Sequence, residues 1–196
     1  MKNKNLWIIL GIVILFVLIF ASWIAGSYNN FVTLDQDING KWSEVENQYQ
    51  RQADLIPNMV STVSSQVGVE TDFVKDVIAA RTAWTASAGA SQLQKDTLGS
   101  QMNSGVQAFV NAVAESYPQL LASEGYTALR DEMAGTQNRI TTSRGRYIES
   151  IQKYNTATKR FPGNVLAGMF GFTQKDYYQA ESGSLETPTL GTGQLP

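Results

Sequence analysis

Five charged residues in the middle of the chain are the candidates for a polar site. Glu46 and Asp54 belong to one predicted helix, whereas Arg81, Arg139 and Arg144 belong to later segments. Charges that leave water need partners, so packed helices would bring such groups together as interhelical ion pairs. Two interpretations stay open here. The residues either line one cavity as a ligand-binding or switching network, or they form separate salt bridges that set the register of the helices, which is the interpretation we favour.

Catalytic chemistry of the common kinds has few candidate groups in this sequence. The chain of 196 residues contains no histidine and no cysteine. This excludes disulfides, thiol catalysis, Ser-His and Cys-His arrangements and the usual zinc ligands. No cluster of carboxylates has metal-ligand spacing. We therefore predict that the protein is not an enzyme and has no cofactor and no metal.

The charge of the chain gives no reason to expect nucleic acid as a partner. Lys and Arg number 15 against 17 for Asp and Glu, and no basic run is interleaved with aromatic residues. Binding to nucleic acid requires a basic surface that neutralises phosphates. The length suits one domain once the two ends are set aside.

The segment from Leu6 to Gly26, LWIILGIVILFVLIFASWIAG, is an uncharged apolar run of 21 residues. A helix of that length spans roughly 30 Å, the thickness of a bilayer core. A cleaved signal peptide is the alternative, but its apolar region would be shorter, and Trp23 spoils the small-residue cleavage pattern. Trp7 and Trp23 also lie near the two ends, where interfacial aromatics are common. We predict a retained single-pass anchor in the lipid bilayer.

The distribution of charge around this run predicts its orientation in the cell membrane. Lys2 and Lys4 precede the run, whereas Lys41 is the first basic residue after it, with Asp35 and Asp37 in between. The positive-inside rule then puts the amino terminus in the cytoplasm and the rest of the chain outside.

The segment from Tyr28 to Val67 has the apolar period of one long amphipathic helix. Ten apolar steps lead from Phe31 to Val67, which lies 36 positions later, so the period is 3.6 residues per step, as in a helix. Pro57 removes a backbone donor and crowds the carbonyl of Ala53, so we expect a kink or a short break there. The stripe consists of Phe31, Leu34, Ile38, Trp42, Val45, Tyr49, Ala53, Ile56, Val60, Val63 and Val67.

Two shorter helical segments are predicted next. Gly68 is a candidate helix terminator, Thr71 or Asp72 a candidate cap for the second segment, and Asp96 or Thr97 a candidate cap for the third. Their predicted inner faces are Phe73, Val77, Ala80 and Trp84, and then Leu98, Met102, Val106, Phe109, Val113 and Tyr117, before Pro118.

The last long helix is predicted from Glu124 to Phe161, after a cap at Ser123. Gln137 and Arg144 interrupt its apolar stripe. The stretch from Pro162 to Phe172 follows, and the residues after Ser182 have the composition of a disordered tail. The predicted inner face of the helix is Tyr126, Leu129, Met133, Ile140, Tyr147, Ile151, Tyr154 and Phe161.

The stretch after the last helix is unusually apolar for a chain end. Such a surface covers a core or meets a partner, which would be another subunit or the membrane. The candidate contact residues are Val165, Leu166, Met169, Phe170 and Phe172.

The fold class that these segments predict is all-α, with an amino-terminal transmembrane helix followed by an elongated antiparallel bundle. We favour three long rods, the middle one broken near Gly89 to Lys95, over four up-down helices. In the three-rod arrangement the apolar stretch lies far from the bilayer, whereas in the four-helix arrangement it can return to it. The predicted divisions are 1–5, a short first segment; 6–26, the anchor; 27–181, the bundle; and 182–196, the tail.

Several motifs resemble those of the LemA family. The order of DLIPN at 54–58, YPQL at 117–120 and the spacing of YN at 154–155 before FP at 161–162 is highly specific. The resemblance runs from the anchor to about Tyr178. Gln52, Gln137, Ser143 and Ile148 depart from the family pattern, since these places often hold Arg, Glu, Ala and Asn. Because Gln137 is neutral, an ion pair that the family makes there is not expected here.

The resemblance implies a bacterial membrane protein without established enzymatic activity. Family members are often encoded near membrane-bound metalloproteases, which implies a membrane-bound protease or other membrane proteins as partners. We predict a non-enzymatic, membrane-anchored helical scaffold that forms a homo-oligomer or organises such partners. The alternative is an extracytoplasmic sensor or ligand-binding module with a pocket between helices.

Overall fold

The computed structural model describes residues 2–67 and 72–177, with the side chains of residues 7–66 and 72–177. These ranges contain five α-helices, one short 3₁₀ helix and no strand, so the predicted all-α class is confirmed. Gly68, Thr71 and the tail from Ser182 lie outside the described residues.

Helix α1 is the long element to which the other helices attach. It extends from Lys2 to Val67 as one helix of 66 residues and continues through Pro57, so the expected short break is absent. Every described side chain from Trp7 to Trp23 is exposed. This part of α1 is long and apolar enough to cross a membrane.

Helices α2, Asp72–Thr85, and α3, Gln92–Ser116, lie side by side as an antiparallel hairpin. The rings of Phe73 and Phe109 are 5.6 Å apart, and Gly105 lies against Ala80. The reversal between the helices contains Gly89 at a φ of 85°, a conformation that glycine adopts without strain. The three-rod interpretation is therefore wrong and the four-helix alternative is correct, because each short helix buries its apolar face against the other and against α1.

The start of α3 also differs from the prediction. Ser91 is the N-cap, and Ser91 and Gln94 form a reciprocal capping box. Asp96 and Thr97, the predicted caps, lie inside the helix. Asp96 is buried instead, because its position falls on the inner face of α3.

Helix α4, Glu124–Lys159, runs antiparallel to α1 after a 3₁₀ turn at Pro118–Ala122. The ring of Tyr147 lies 5.4 Å from that of Trp42, and Glu132 accepts a hydrogen bond from Arg51 near the other end. Phe161 was predicted to point inward but is 77% exposed. Because α4 ends at Lys159, Phe161 no longer follows the helical stripe.

The core lies between the bundle helices α1, α2, α3 and α4. Most of the predicted stripe of α1 is buried, but Leu34 and Val60 are only partly buried, and the side chain of Val67 lies outside the described residues. Met59, which the predicted stripe does not include, is buried as well. Partial burial also applies to Phe73, Ala80, Leu98, Tyr117, Leu129 and Tyr147. The largest fully buried side chains include Tyr49, Ile56, Met59, Met102, Phe109, Leu120, Tyr126, Met133, Ile151 and Tyr154.

A short fifth helix, α5, Gly163–Phe170, completes the fold. Because α4 returns antiparallel to α1, α5 reaches the part of α1 next to the apolar run. Its Leu166 and Ala167 are buried against Phe31 and Ile24.

Candidate functional site

A buried carboxylate, Asp96, lies where the long helices meet. Asp96 is 3% exposed on α3. The Tyr49 hydroxyl, from α1, donates a hydrogen bond to its Oδ1 at 3.1 Å. The Arg144 guanidinium, from α4, lies 3.2 Å from its Oδ2. We call Tyr49, Asp96 and Arg144 the Asp96 cluster, and it joins three helices through one carboxyl group.

The Tyr49 side chain reaches Asp96 because α3 has a glycine beneath it. A Cβ atom on Gly99 would lie 2.6 Å from the Tyr49 Cζ atom, far inside van der Waals contact. The Tyr49 ring also packs near Trp84 of α2, with the ring centroids 6.2 Å apart. Helices α1, α2, α3 and α4 therefore all contribute to the position of the Tyr49 hydroxyl, with α4 acting through the pair of Arg144 with Asp96.

Burial dominates the electrostatics of the cluster. It raises the pKa of the Asp96 carboxyl, while the charge of Arg144 and the hydrogen bond from Tyr49 lower it. Burial and the nearby Asp96 charge also raise the pKa of the Tyr49 phenol, which keeps it a neutral hydrogen-bond donor. A carboxylate with an arginine and a phenol as partners is satisfied, which is the pattern of an interhelical tie.

A cleft of about 360 Å³ opens beside the Asp96 cluster. The Tyr147 hydroxyl donates to the side-chain oxygen of Gln92 at 2.9 Å on its wall. Burial and the charge of Asp96 raise the pKa of Tyr147. The cleft is lined by Ile38, Asn39, Ser91, Gln92, Leu93, Asp96, Tyr147, Lys175 and Asp176. The lining thus combines one ammonium group, two carboxyl groups and two side-chain amides with the apolar side chains of Ile38 and Leu93.

The sequence profile of the LemA family matches residues 41–190, which include the Asp96 cluster, α5 and the lining of the cleft except Ile38 and Asn39. The chain belongs to the LemA family. The magnetosome proteins MamQ 1 and MamQ 2 of Paramagnetospirillum magneticum are each 26% identical to it over 200 residues, covering 90% of this chain and 73% of theirs. The magnetosome protein MamQ of Magnetospirillum gryphiswaldense is 24% identical over 206 residues, covering 93% of this chain and 75% of its own.

The predicted polar residues of this LemA-family chain are spread over the bundle. Arg144 belongs to the Asp96 cluster. Arg81 donates from Nε to the backbone oxygen of Ala53 at 2.7 Å, which ties α2 to α1. Glu46 pairs with Lys95 of α3. These three residues each make a separate link between helices.

The other two predicted residues lie on the surface. Asp54 is exposed and accepts a hydrogen bond at 2.8 Å from Gln50, one turn away on the same helix. Arg139 is exposed on the wall of a shallow groove between α1 and α4. The structure thus places Arg144 in the Asp96 cluster and leaves Glu46, Asp54, Arg81 and Arg139 elsewhere.

Sequence reasoning missed the acidic partner of Arg144. Asp96 continues the buried series of α3, with Gly99, Met102 and Val106 at helical spacing. A charge at an inner position of an amphipathic helix is the signal that would have found it. Gln52, where the family often has Arg, is also fully buried and donates to Asn103 at 2.9 Å.

No group of three or more His, Cys, Asp or Glu side chains suited to a metal occurs within the described part of the chain.

The five predicted contact residues near the carboxyl end are divided between two environments. Leu166 is buried and Phe172 is partly buried, whereas Val165, Met169 and Phe170 are exposed.

Proposed function

We propose that this LemA-family protein is a non-enzymatic, membrane-anchored scaffold that self-associates or holds partner proteins at the bacterial cell membrane. One observation carries the proposal. The exposed apolar segment and the central stripe of the bundle belong to one uninterrupted helix, α1. A partner held by the bundle is therefore held at a fixed height above the membrane, without a flexible linker.

The apolar part of α1 supports the anchor. Its side chains from Trp7 to Trp23 are exposed, and such a long uncharged surface is unfavourable in water but suits the bilayer. Washing membranes with alkaline carbonate tests this placement, because it removes peripheral proteins and leaves integral ones. Release of the intact chain into the wash would contradict the anchor.

The relatives support a membrane placement by their names alone. The MamQ proteins are named as magnetosome proteins, and they align with nine-tenths of this chain. From these relatives we take only a membrane location. We propose as partners a second copy of this chain or a membrane-bound protease, and these two should be tested first.

Self-association or partner capture is the central test of the scaffold. The full chain is purified in mild detergent and its mass is measured by light scattering, while a pull-down from solubilised membranes identifies co-purifying proteins. We expect either a mass of several copies or a defined membrane protein in the pull-down. A strictly monomeric particle that captures no protein would refute the scaffold.

The proposed topology has a cytoplasmic amino terminus and an extracytoplasmic bundle. Lys2 and Lys4 before the anchor, and Asp35 and Asp37 after it, support this orientation. Trypsin added to intact cells with a permeable outer layer should then cut the bundle at exposed basic residues such as Lys153. Full protection of the bundle until the membrane is opened would reverse the assignment.

A non-enzymatic role rests on the chemistry of the chain. Histidine and cysteine are absent from the sequence. Asp96, the most buried carboxyl group in the described part of the chain, is already paired with Arg144 and Tyr49. These features support a structural use of the polar residues.

A ligand-binding module is the second candidate, and the cleft beside Asp96 favours it. Lys175 and Asp176 on its wall supply an ammonium and a carboxyl group, the two charges that a small zwitterion pairs with. We would screen amino acids and betaines, which are zwitterions, for compounds that raise the unfolding temperature of the full chain. A shift that Lys175→Met abolishes and Lys153→Met retains would support this candidate, and the absence of any shift would exclude these ligand classes.

A further inference from the structure

Helix α5 is apolar on both of its sides. Its sequence, GNVLAGMF, contains no charge. The inner side is covered, because Leu166 and Ala167 are buried. The outer side is not, since Met169 is 73% exposed, Val165 53% and Phe170 43%. We call these three residues the α5 outer face.

The height of α5 along α1 matches the edge of the predicted membrane. Leu166 and Ala167 pack in one cluster with Phe31 and Ile24, and Ile24 belongs to the apolar run that ends at Gly26. The ring of Phe170 lies 5.1 Å from that of Tyr28, edge to face. At about 1.5 Å per residue, Ile24 and Phe31 are roughly 10 Å apart along the helix axis, which is about the depth of the interfacial layer.

The residues around α5 also suit the interface. Phe161, just before the helix, is 77% exposed. Lys159 and Arg160, which precede Phe161, are exposed cations that can reach lipid phosphates while α5 lies deeper. Trp23 on α1 is exposed at the same end of the apolar run, where aromatic residues favour the headgroup region.

We propose that the α5 outer face inserts into the interfacial layer of the bilayer that α1 spans, as a second membrane contact of the protein. The inference rests on the membrane anchor of the proposed function. A bilayer occupies this face because the face continues the apolar surface of α1 at the level where that helix leaves the hydrocarbon. Two contacts fix the tilt of the bundle, whereas α1 alone would let it lean.

The absence of cysteine from the chain allows a direct measurement of depth. Single cysteines are introduced into the full chain as Met169→Cys, Val165→Cys, Ile19→Cys and Ala134→Cys, all at exposed positions. Each variant is labelled with a bimane fluorophore and reconstituted into phosphatidylcholine–phosphatidylglycerol vesicles. Quenching is then measured with spin-labelled lipids and, separately, with aqueous iodide, after circular dichroism has established that the helical content is unchanged.

The four positions separate the inference from the anchor on which it rests. We expect quenching by the spin-labelled lipids to be several-fold stronger at Met169 and Val165 than at Ala134, which lies on the distal half of α4. The spin-labelled lipids should quench the label at Ile19 whether or not α5 inserts, because this position tests the anchor alone. Lipid quenching at Ile19 with iodide quenching alone at Met169 and Val165 would overturn the inference and leave the anchor intact.

Two further outcomes would also count against the inference. If the labels at Met169 and Val165 are shielded from both quenchers, a protein surface such as a second copy covers α5 instead of lipid. If Ile19 is not quenched by lipid, the anchor itself fails. Agreement between the two α5 labels guards against a local effect of either substitution.

Discussion

The contact between Gly99 and Tyr49 predicts a destabilising alanine substitution at a position where helix propensity alone predicts the reverse. Gly99 lies inside α3, where glycine costs roughly 1 kcal/mol relative to alanine. The added methyl carbon of Gly99→Ala would lie 2.6 Å from Cζ and 2.7 Å from both Cε atoms of Tyr49. Carbon atoms pack at about 3.5–4.0 Å, so the ring must move by roughly 1 Å.

The Tyr49 ring cannot move freely. It is fully buried, and its hydroxyl is held by Asp96 and lies 3.5 Å from the hydroxyl of Ser100. Overpacking of a filled core costs about 1–3 kcal/mol. After subtraction of the propensity gain, we expect Gly99→Ala to lower the free energy of unfolding by about 1–2 kcal/mol, since part of the hydrogen bond to Asp96 is also lost.

Gly145→Ala is the matched control. Gly145 is inside α4 and exposed, and a methyl carbon added there would have no neighbouring atom within 4 Å. The same chemical change there should stabilise the protein by about 0.4–1 kcal/mol. Opposite signs at the two glycines separate packing against Tyr49 from a general effect of helix propensity.

The assay is thermal and urea unfolding of the full chain in detergent micelles, followed by circular dichroism. For a chain of this size, about 1 kcal/mol corresponds to a shift of roughly 2–4 °C in the unfolding temperature. Gly99→Ala should therefore unfold at a lower temperature and Gly145→Ala at a higher one. A Gly99→Ala protein as stable as the parent would refute the close packing of Tyr49 on α3.

Three other predictions concern the Asp96 cluster and the end of the chain. Arg144→Met leaves Asp96 buried without its ion partner and should lower the free energy of unfolding by about 2–3 kcal/mol, a value discounted because Arg144 is partly exposed. Arg146→Met removes an exposed pair and should lower it by under about 1 kcal/mol in the same urea titration. Equal effects of the two substitutions would contradict the pairing of Arg144 with Asp96. Because burial raises the pKa of Asp96 above its ordinary value of 3.8, the native state binds this proton more tightly than the unfolded state. The unfolding free energy of the parent minus that of Asp96→Asn should therefore increase as the pH falls from about 7 to about 4, and a constant or decreasing difference would contradict the raised pKa. The Asn155 side chain donates a hydrogen bond to the backbone oxygen of Lys175 at 2.8 Å and accepts one from its backbone nitrogen at 2.9 Å. Asn155→Ala should therefore speed tryptic cleavage after Lys175 several-fold. An unchanged rate would show that other contacts hold this segment.

These predictions bear on the proposed function, because a scaffold depends on a fixed arrangement of its helices. The Asp96 cluster joins α1, α3 and α4 in the middle of the bundle. At the end of the bundle next to the apolar run of α1, Asn155 and the pair of Lys175 with Asp35 hold the chain after α5 against α4 and α1. Loss of either set should loosen the bundle while leaving the anchor in place.

The sequence by itself determined the helices, most of their inner faces and the segment that can cross a membrane. This information is local, because an apolar period of 3.6 residues and an uncharged run are visible without knowledge of any neighbour. The stripe of α1 from Phe31 to Val63 and the end of α3 before Pro118 follow directly from such patterns.

Only the tertiary structure decided how the segments pack. The same lengths fit three rods or four helices, and the choice depended on the reversal at Gly89, which no apolar period records. Asp96 has the residue type of a helix cap, and only the contacts with Tyr49 and Arg144 reveal it as the centre of a cluster. The position of α5 beside Tyr28 depends in turn on the four-helix arrangement, because α4 must return antiparallel to α1 before its end can lie near the apolar run of α1. Pairing between distant segments is a property of the packed chain, so it appears only when the helices are placed together.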